Sequence, residues 1–103
     1  STVDWIAKAS DEVYLSGEGA SKQIWIELPE TAVLNKSFFG ARGSETNWSK
    51  RKMININLIL EGDTFAITRA PTCGIMPSMA GRTRVNVTYN ATGTAHVMVN
   101  GNC

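Results

Sequence analysis

Apolar and polar residues alternate with a period of two along much of the chain. In Met53–Leu60 two isoleucines and two leucines fall on one face of an extended chain, while two asparagines fall on the other. Such alternation is typical of a strand with one buried and one solvated face. We predict that the buried face of this segment carries Ile54, Ile56, Leu58 and Leu60. The same pattern predicts further strands at Val13–Leu15, Lys22–Leu28, Thr64–Thr68, Arg84–Tyr89 and Thr94–Val99.

Helical periodicity is weak by comparison. Val3, Ile6 and Ala7 fit one face of a helix of about two turns behind a Ser/Thr cap. Asp11 and Glu12 are placed on the strand that follows, where adjacent side chains point to opposite faces. Short strands separated by turns predict an all-β fold, most simply a small β-sandwich. Because two halves of about fifty residues could not each bury a core, residues 1–103 are expected to form a single domain.

Composition excludes several classes of protein. With 43% hydrophobic and 18% charged residues, the chain is not of the disordered or low-complexity type. No apolar run reaches the roughly 18 residues of a membrane helix, so we expect no membrane span. The start, Ser1–Trp5, lacks the features of a signal peptide, which we expect to have been removed. A net charge of +1 argues against nucleic acid as a partner.

The two cysteines, Cys73 and Cys103, are either buried thiols or a disulfide. We predict the disulfide, because it would hold the last strand in place. Closing this loop would also stabilise the fold by roughly 3–4 kcal/mol. It implies a secreted, cell-surface or periplasmic protein. Two cysteines and one histidine cannot complete a zinc site, so no metal and no cofactor are expected. Four N-x-S/T sequons fit a secreted protein, although an asparagine-rich strand protein also produces them by chance.

Catalytic groups are scarce. His96 is the only histidine, and alternation places it on the outward face of its strand, opposite to Val97. No serine has a nucleophile-elbow motif, and Cys73 is expected to be oxidised. Glu61 and Asp63 supply too few ligands for calcium. We therefore predict that the protein is not an enzyme.

Features of a binding protein are better represented. Trp25 faces outward if its isoleucine neighbours face the core, and Trp48 lies in a polar loop beside Arg51. Arg82 lies beside a turn, together with Arg84. Exposed aromatic and arginine side chains can stack on a sugar, bond to its hydroxyls, or anchor a protein. Trp25, Trp48, Arg51 and Arg82 are therefore the predicted ligand-binding residues, although the two tryptophans could instead cover the core.

Two other segments could also bind another protein. Residues 35–52 form a long polar connection, which is either a functional loop or an irregular edge strand. As a loop, it could act in a secreted enzyme inhibitor. Met53–Leu60 is long and lacks proline, so at a sheet edge it would accept a strand from another chain and permit self-association.

Two further segments resemble the fimbrial subunits of the bacterial chaperone–usher pathway. Phe65–Cys73 is similar to an apolar strand that leads into Pro-Thr-Cys, and Thr94–Cys103 to the strand that ends in the second cysteine. Residues 93–103 also resemble the closing strand of invasin-type tip subunits. The resemblance implies an incomplete immunoglobulin-like sandwich that borrows a strand and acts in surface adhesion and virulence. A jelly-roll-like order of strands is the alternative.

The predicted function is therefore that of a secreted or surface binding protein. The most concrete version is an adhesin-like or fimbrial-subunit-like protein that contacts a host glycan or a protein receptor. The alternatives are the enzyme inhibitor and a receptor-binding subunit of a toxin.

Overall fold

One long helix and two β-sheets share a hydrophobic core. The computed structural model describes residues 1–41, 48–90 and 96–101, and for Trp48 and Ser49 it describes the backbone alone. The elements in chain order are α1 (Thr2–Ser16), β1 (Ser21–Leu28), a 3-10 turn (Leu34–Lys36), β2 (Phe38–Phe39), α2 (Trp48–Arg51), β3 (Met53–Leu58), β4 (Gly62–Ile67), β5 (Thr72–Gly74), β6 (Gly81–Tyr89) and β7 (Val97–Val99).

The first sheet has four strands in the order β1-β6-β7-β5, and the second has three in the order β2-β3-β4. Neighbouring strands are antiparallel except β5 and β7, which run parallel. The sheets meet at one corner, where Ala41, just after β2, forms a bridge with Cys73 of β5. The prediction of a mostly β protein is thus confirmed, with a substantial helix added.

The N-terminal segment is one continuous helix of 15 residues. The predicted strand Val13–Leu15 is therefore wrong, and so is the placement of Asp11 and Glu12 on a strand. Buried residues recur three or four positions apart, as expected for a helix that packs along one side: Val3, Ile6, Ala7, Ser10 and Val13. The sequence signal was weak because alanine and serine, which are only mildly hydrophobic, occupy part of the buried side.

Helix α1 contacts strands of both sheets, including β1, β6, β3 and β4. Its buried side chains join one cluster with the inward residues of the strands. Among the largest of these side chains, each at most 2% exposed, are Ile6, Ile26, Phe39, Ile54, Val85 and Val97. The core is therefore built between the sheets and around the helix.

In strand β3, Ile54 and Ile56 are buried, as the alternation predicts, but Asn55 between them is buried as well. Leu60 is an exception, because it lies in the β3–β4 turn with a φ of 68° and is fully exposed. Its predicted place in the core is wrong. The strand itself is the centre of the second sheet, between β2 and β4. The prediction that Met53–Leu60 could pair with another chain at a sheet edge is therefore also wrong.

The long connection at residues 35–52 contains short elements. It includes the 3-10 turn, α2 and the edge strand β2, in agreement with the edge-strand alternative. Residues 42–47 of this connection lie outside the described residues. At its centre, Gly40 has a φ of 76°, and a Cβ there would lie 2.1 Å from Thr72 Oγ1. Glycine is thus required where the two sheets meet.

Strand β1 is an edge of the first sheet, and α1 lies beside it. The Thr2 hydroxyl donates to the Glu27 carbonyl at 2.9 Å. Near the other end of β1, Lys22 forms an ion pair with Glu12 of α1. This lysine lowers the pKa of the Glu12 carboxyl, chiefly by donating a hydrogen bond to it. The helix thereby contacts both ends of β1, which pairs with β6 on one side and with no described strand on the other.

Cys73 is buried in β5, and the described part of the chain holds no free cysteine. Its predicted partner, Cys103, lies outside the described residues, so the pairing stays a prediction. The last described residues turn back toward β5, since the Asn100 side chain donates to the Ile75 carbonyl at 2.9 Å. In the described ranges, no helix has both the length and the apolar character needed to cross a bilayer.

Replacement of Ile6 tests the helix as part of the core. Because the Ile6 side chain is fully buried, Ile6→Ala should reduce the free energy of unfolding by about 2–5 kcal/mol. The exposed Lys8 on the same helix provides the control, and Lys8→Ala should change it by about 0.5 kcal/mol or less. Urea unfolding followed by circular dichroism measures both. Equal effects of the two substitutions would contradict the packing of α1.

The disulfide can be tested by alkylation of the unfolded protein. Without reductant, neither cysteine should react with iodoacetamide, and after reduction both should. Cys103→Ser should lower the free energy of unfolding by roughly 3–4 kcal/mol, since the closed loop restricts the unfolded chain. Reaction of both thiols in unreduced protein would show that the pair does not form.

Candidate functional site

Trp25 stands on the outer surface of the first sheet. The residues on either side of Glu27 in β1, Ile26 and Leu28, are buried, so the alternating positions face solvent. The Trp25 side chain is 54% exposed, as the alternation predicts. A large aromatic side chain in this position leaves an apolar surface in contact with water, which is a common feature of binding sites.

Strand β6 places two arginines next to this ring. Arg84 is directly opposite Trp25 in the antiparallel register, and Arg82 is opposite Glu27, the next outward position. The guanidinium carbons of Arg82 and Arg84 lie 4.6 Å and 5.9 Å from the centroid of the Trp25 ring. Both distances lie within the range of cation–π contacts. We call these three side chains the Trp25 face.

The two guanidinium groups have no carboxylate partner among the described residues. The ion pairs in that part of the chain join the N-terminal amine to Asp4 and Lys22 to Glu12. A guanidinium that stacks on a ring still has N–H groups at its edge, and these can donate to a planar anion. The Trp25 face therefore combines an aromatic surface with two cationic donors directed to solvent.

The four predicted binding residues do not form one site. Trp25 and Arg82 are in contact, whereas their role in binding a ligand stays a prediction. The carbonyl of Arg51 accepts a hydrogen bond from Thr72 of β5, the opposite edge strand of the first sheet. Three strand spacings, roughly 14 Å, separate that edge from β1, so Arg51 is not part of the Trp25 face. The side chain of Trp48 lies outside the described residues.

A second candidate site lies on the outer face of the other sheet. Here the register aligns Phe38, Asn55 and Phe65 across β2, β3 and β4, and it pairs Asn57 with Asp63. A pocket of about 480 Å³ opens between this face, the 3-10 turn and α2. We call it the Asp63 pocket, and its wall includes Lys36, Phe38, Lys50, Asn57 and Asp63.

The Asp63 carboxylate is held by two asparagine amides. Its Oδ1 atom accepts hydrogen bonds from Asn57 Nδ2 at 2.8 Å and from Asn55 Nδ2 at 3.2 Å. These bonds lower the pKa of Asp63, the Asn57 bond most strongly, and Lys36 adds a smaller electrostatic effect in the same direction. Asn55 is only 3% exposed, although it lies on the outer face of its sheet. The carboxylate is therefore fixed in position and ionised.

His96 does not occupy the solvated position that the sequence predicts. It is half-buried, and its ring centroid lies 6.3 Å from those of both Tyr14 and Tyr89. The Nδ1 atom is buried and has no hydrogen-bond partner in the described part of the chain. The prediction failed because His96 precedes β7 and lies outside its alternation, next to the end of the tyrosine-bearing strand β6.

Sequence reasoning missed Arg84 as a contact residue and the Asp63 pocket as a site. Arg84 was predicted as the first residue of a strand, next to a turn, whereas β6 begins three residues earlier, at Gly81. The signal for it was present, because alternation with the buried Val85 and Val87 directs Arg84 outward. The Asp63 pocket could not be found in this way, since it depends on the register between three strands.

No group of three or more histidine, cysteine, aspartate or glutamate residues is suited to hold a metal within the described ranges.

The pKa of Asp63 leads to a prediction about pH. Because its folded-state pKa lies below the ordinary value of 3.8, the ionised carboxylate stabilises the fold above that pH. This stabilisation is lost as the pH falls through the lowered folded-state pKa. The groups that face Asp63 are Asn55 and Asn57 of β3 and Lys36 of the 3-10 turn, with Lys50 of α2 across the pocket.

Asp63→Asn should therefore lower the melting temperature at pH 7, and the difference from the unsubstituted protein should shrink in strongly acidic buffer. Differential scanning calorimetry between pH 2 and pH 7 measures this. Glu61→Gln, an exposed carboxyl two residues away, provides the control and should have little effect. An Asp63→Asn difference that is constant across the pH range would show that the ionised state of Asp63 does not stabilise the fold.

No family model matches the chain, and neither a curated protein nor a solved structure does so.

Proposed function

We propose that this chain is a non-catalytic binding domain of a secreted, cell-surface or periplasmic protein, and that the Trp25 face contacts an acidic glycan. The observation that carries the proposal is the pair of guanidinium groups within 6 Å of an exposed tryptophan ring, neither in an ion pair with a described carboxylate. An adhesin-like or fimbrial-subunit-like role in surface adhesion would use such a face.

The chemistry of the face favours an acidic sugar. The flat indole ring can pack against the apolar face of a sugar ring, and the guanidinium edges can donate paired hydrogen bonds to a carboxylate or sulfate group. A guanidinium is also more weakly hydrated than an ammonium group, so its desolvation on binding costs less. Neutral sugars would offer the arginines hydroxyl acceptors but no anionic partner.

The charge of the whole chain supports a glycan over nucleic acid. Affinity for a phosphate backbone depends on many lysine and arginine contacts, whereas the net charge here is only +1. Glu27 also lies on the same outward face, opposite Arg82, and would repel a continuous polyanion. A short acidic group presented by a glycan chain fits the two arginines better.

The proposal includes a disulfide-closed domain. A bond between Cys73 and Cys103 would attach the end of the chain to β5 and would suit an oxidising compartment. The immunoglobulin-like or jelly-roll-like sandwich and the fimbrial resemblance both stay predictions. Their support is the presence of two sheets that share one core.

Binding can be tested with an array that includes sialylated, uronate-containing and sulfated glycans. The protein should bind acidic members, and Trp25→Ala should weaken binding about tenfold or more, a loss of about 1.4 kcal/mol. Trp5→Ala is a matched control, because Trp5 is 58% exposed but lies on α1, away from the two arginines. Arg84→Lys keeps the charge and removes the planar group, so it should also weaken binding.

Two results would refute the proposal. One is an array that is negative for every acidic glycan. The other is an equal loss of binding for Trp5→Ala and Trp25→Ala, because such a result would indicate a general effect of exposed tryptophans.

A further inference from the structure

The Asp63 pocket contains a combination of groups that the Trp25 face lacks. A fixed carboxylate, a carboxamide, ammonium groups and an aromatic ring surround a volume of about 480 Å³. Pockets that take small ligands generally have volumes of roughly 300–1,000 Å³. The pocket is therefore large enough for a small molecule or for the terminal unit of a larger one.

The arrangement of Asp63 leaves acceptor capacity for a ligand. Both asparagine amides donate to the same oxygen, Oδ1. The second oxygen makes no ion pair with any described residue. A carboxylate fixed in this way can accept hydrogen bonds from hydroxyl groups with no reorganisation of its own position.

The position of Asn55 supports a binding role. Its side chain is 97% buried between two phenylalanines, Phe38 and Phe65, on the outer face of a sheet. Burial of an amide costs free energy unless its polar atoms are bonded. Here the amide nitrogen lies within bonding distance of both the Lys36 carbonyl, at 3.4 Å, and Asp63 Oδ1. The buried amide thus connects the 3-10 turn to the carboxylate and orients both walls of the pocket.

The remaining wall provides an apolar surface and donors. Phe38 is half-buried, and the Lys50 ammonium lies 5.7 Å from the centroid of its ring. Lys36 also lines the pocket, close enough to lower the pKa of Asp63, and its ammonium group can donate to an acceptor. A sugar ring has hydroxyl groups that both donate and accept at its edge and C–H groups on its face. These features match the carboxylate, the ammonium and amide groups, and the phenylalanine ring.

We propose that the Asp63 pocket is a second binding site and that it takes a neutral, hydroxyl-bearing sugar ring. Asp63 and Asn57 bond to adjacent hydroxyl groups, and Phe38 packs against the ring. At Asp63 itself an anionic group is disfavoured, because the carboxylate would repel it. The site lies on the other sheet from the Trp25 face, with the core between them, so it goes beyond the proposed function and does not depend on it.

The test uses the methyl glycosides of glucose, galactose, mannose and N-acetylglucosamine as probes, with NMR detection of the side-chain amides of the ¹⁵N-labelled protein. At least one glycoside should shift the Asn55 and Asn57 signals in a saturable way. If none of the four shifts them, the proposal is overturned.

Two substitutions locate the binding. Asp63→Asn should weaken the affinity about tenfold or more, whereas Glu61→Gln, outside the pocket, should leave it unchanged. If Asp63→Asn lowers stability too far, Phe38→Leu provides a second variant, because it keeps an apolar side chain but removes the ring, and it should also weaken binding. Unchanged affinity in a folded variant of either kind would overturn the proposal.

Trp25→Ala separates this proposal from the first. It should leave the glycoside-induced shifts of Asn55 and Asn57 intact, even if it abolishes binding to acidic glycans. Loss of these shifts in Trp25→Ala would mean that the neutral sugar binds at the Trp25 face, and the second site would be rejected.

Discussion

Burial of the inner side of α1 is the interaction on which the rest of the structure depends. The helix contacts strands of both sheets, and its valines and isoleucine complete a core to which neither sheet alone supplies enough side chains. Short strands such as β2 and β5, of two and three residues, are too short to be stable by backbone pairing alone. Because the helix fills the space between the sheets, it fixes their separation and leaves their outer faces to solvent.

Those outer faces carry the candidate sites. Each site depends on which residues the pairing of neighbouring strands places side by side. On the first sheet, antiparallel pairing places an arginine of β6 opposite Trp25. On the second, it places Asp63 opposite Asn57 and puts Asn55 between two phenylalanines. A shift of one residue in either pairing would turn these side chains toward the core. The inward isoleucines and valines, which select one register, therefore also determine the chemistry of the surface.

The strands that alternate most regularly were predictable from the sequence. In β1, alternation correctly places Ile26 and Leu28 in the core, and in β3 it correctly places Ile54 and Ile56 there. Ile24 and Leu58 are only partly buried. The outward direction of Trp25 followed from the same rule. Helix α1 was underestimated because Ala9 and Ser10, both buried, carry little hydrophobic signal. Leu60 was placed wrongly because alternation cannot show where a strand ends and a turn begins.

These sequence patterns do not predict contacts between segments that are distant along the chain. Trp25 and Arg82 are 57 positions apart, and only the pairing of β1 with β6 brings them together. The Asp63 pocket likewise needs the 3-10 turn, α2 and three strands in place. Short-range periodicity predicts which side chains share a face of one strand, but it does not predict which strands become neighbours.

The ion pair between Lys22 and Glu12 has a consequence for how the protein behaves in concentrated solution. Lys22 lies near the start of β1, the long edge strand of the first sheet, and it is held against α1. An exposed edge strand is a template for fibril growth, in which sheets of different molecules stack with dry interfaces. Addition of a further strand here would remove water from an ammonium and a carboxylate group and displace the last turns of the helix. This ion pair at the edge of the first sheet therefore opposes the addition of a further strand.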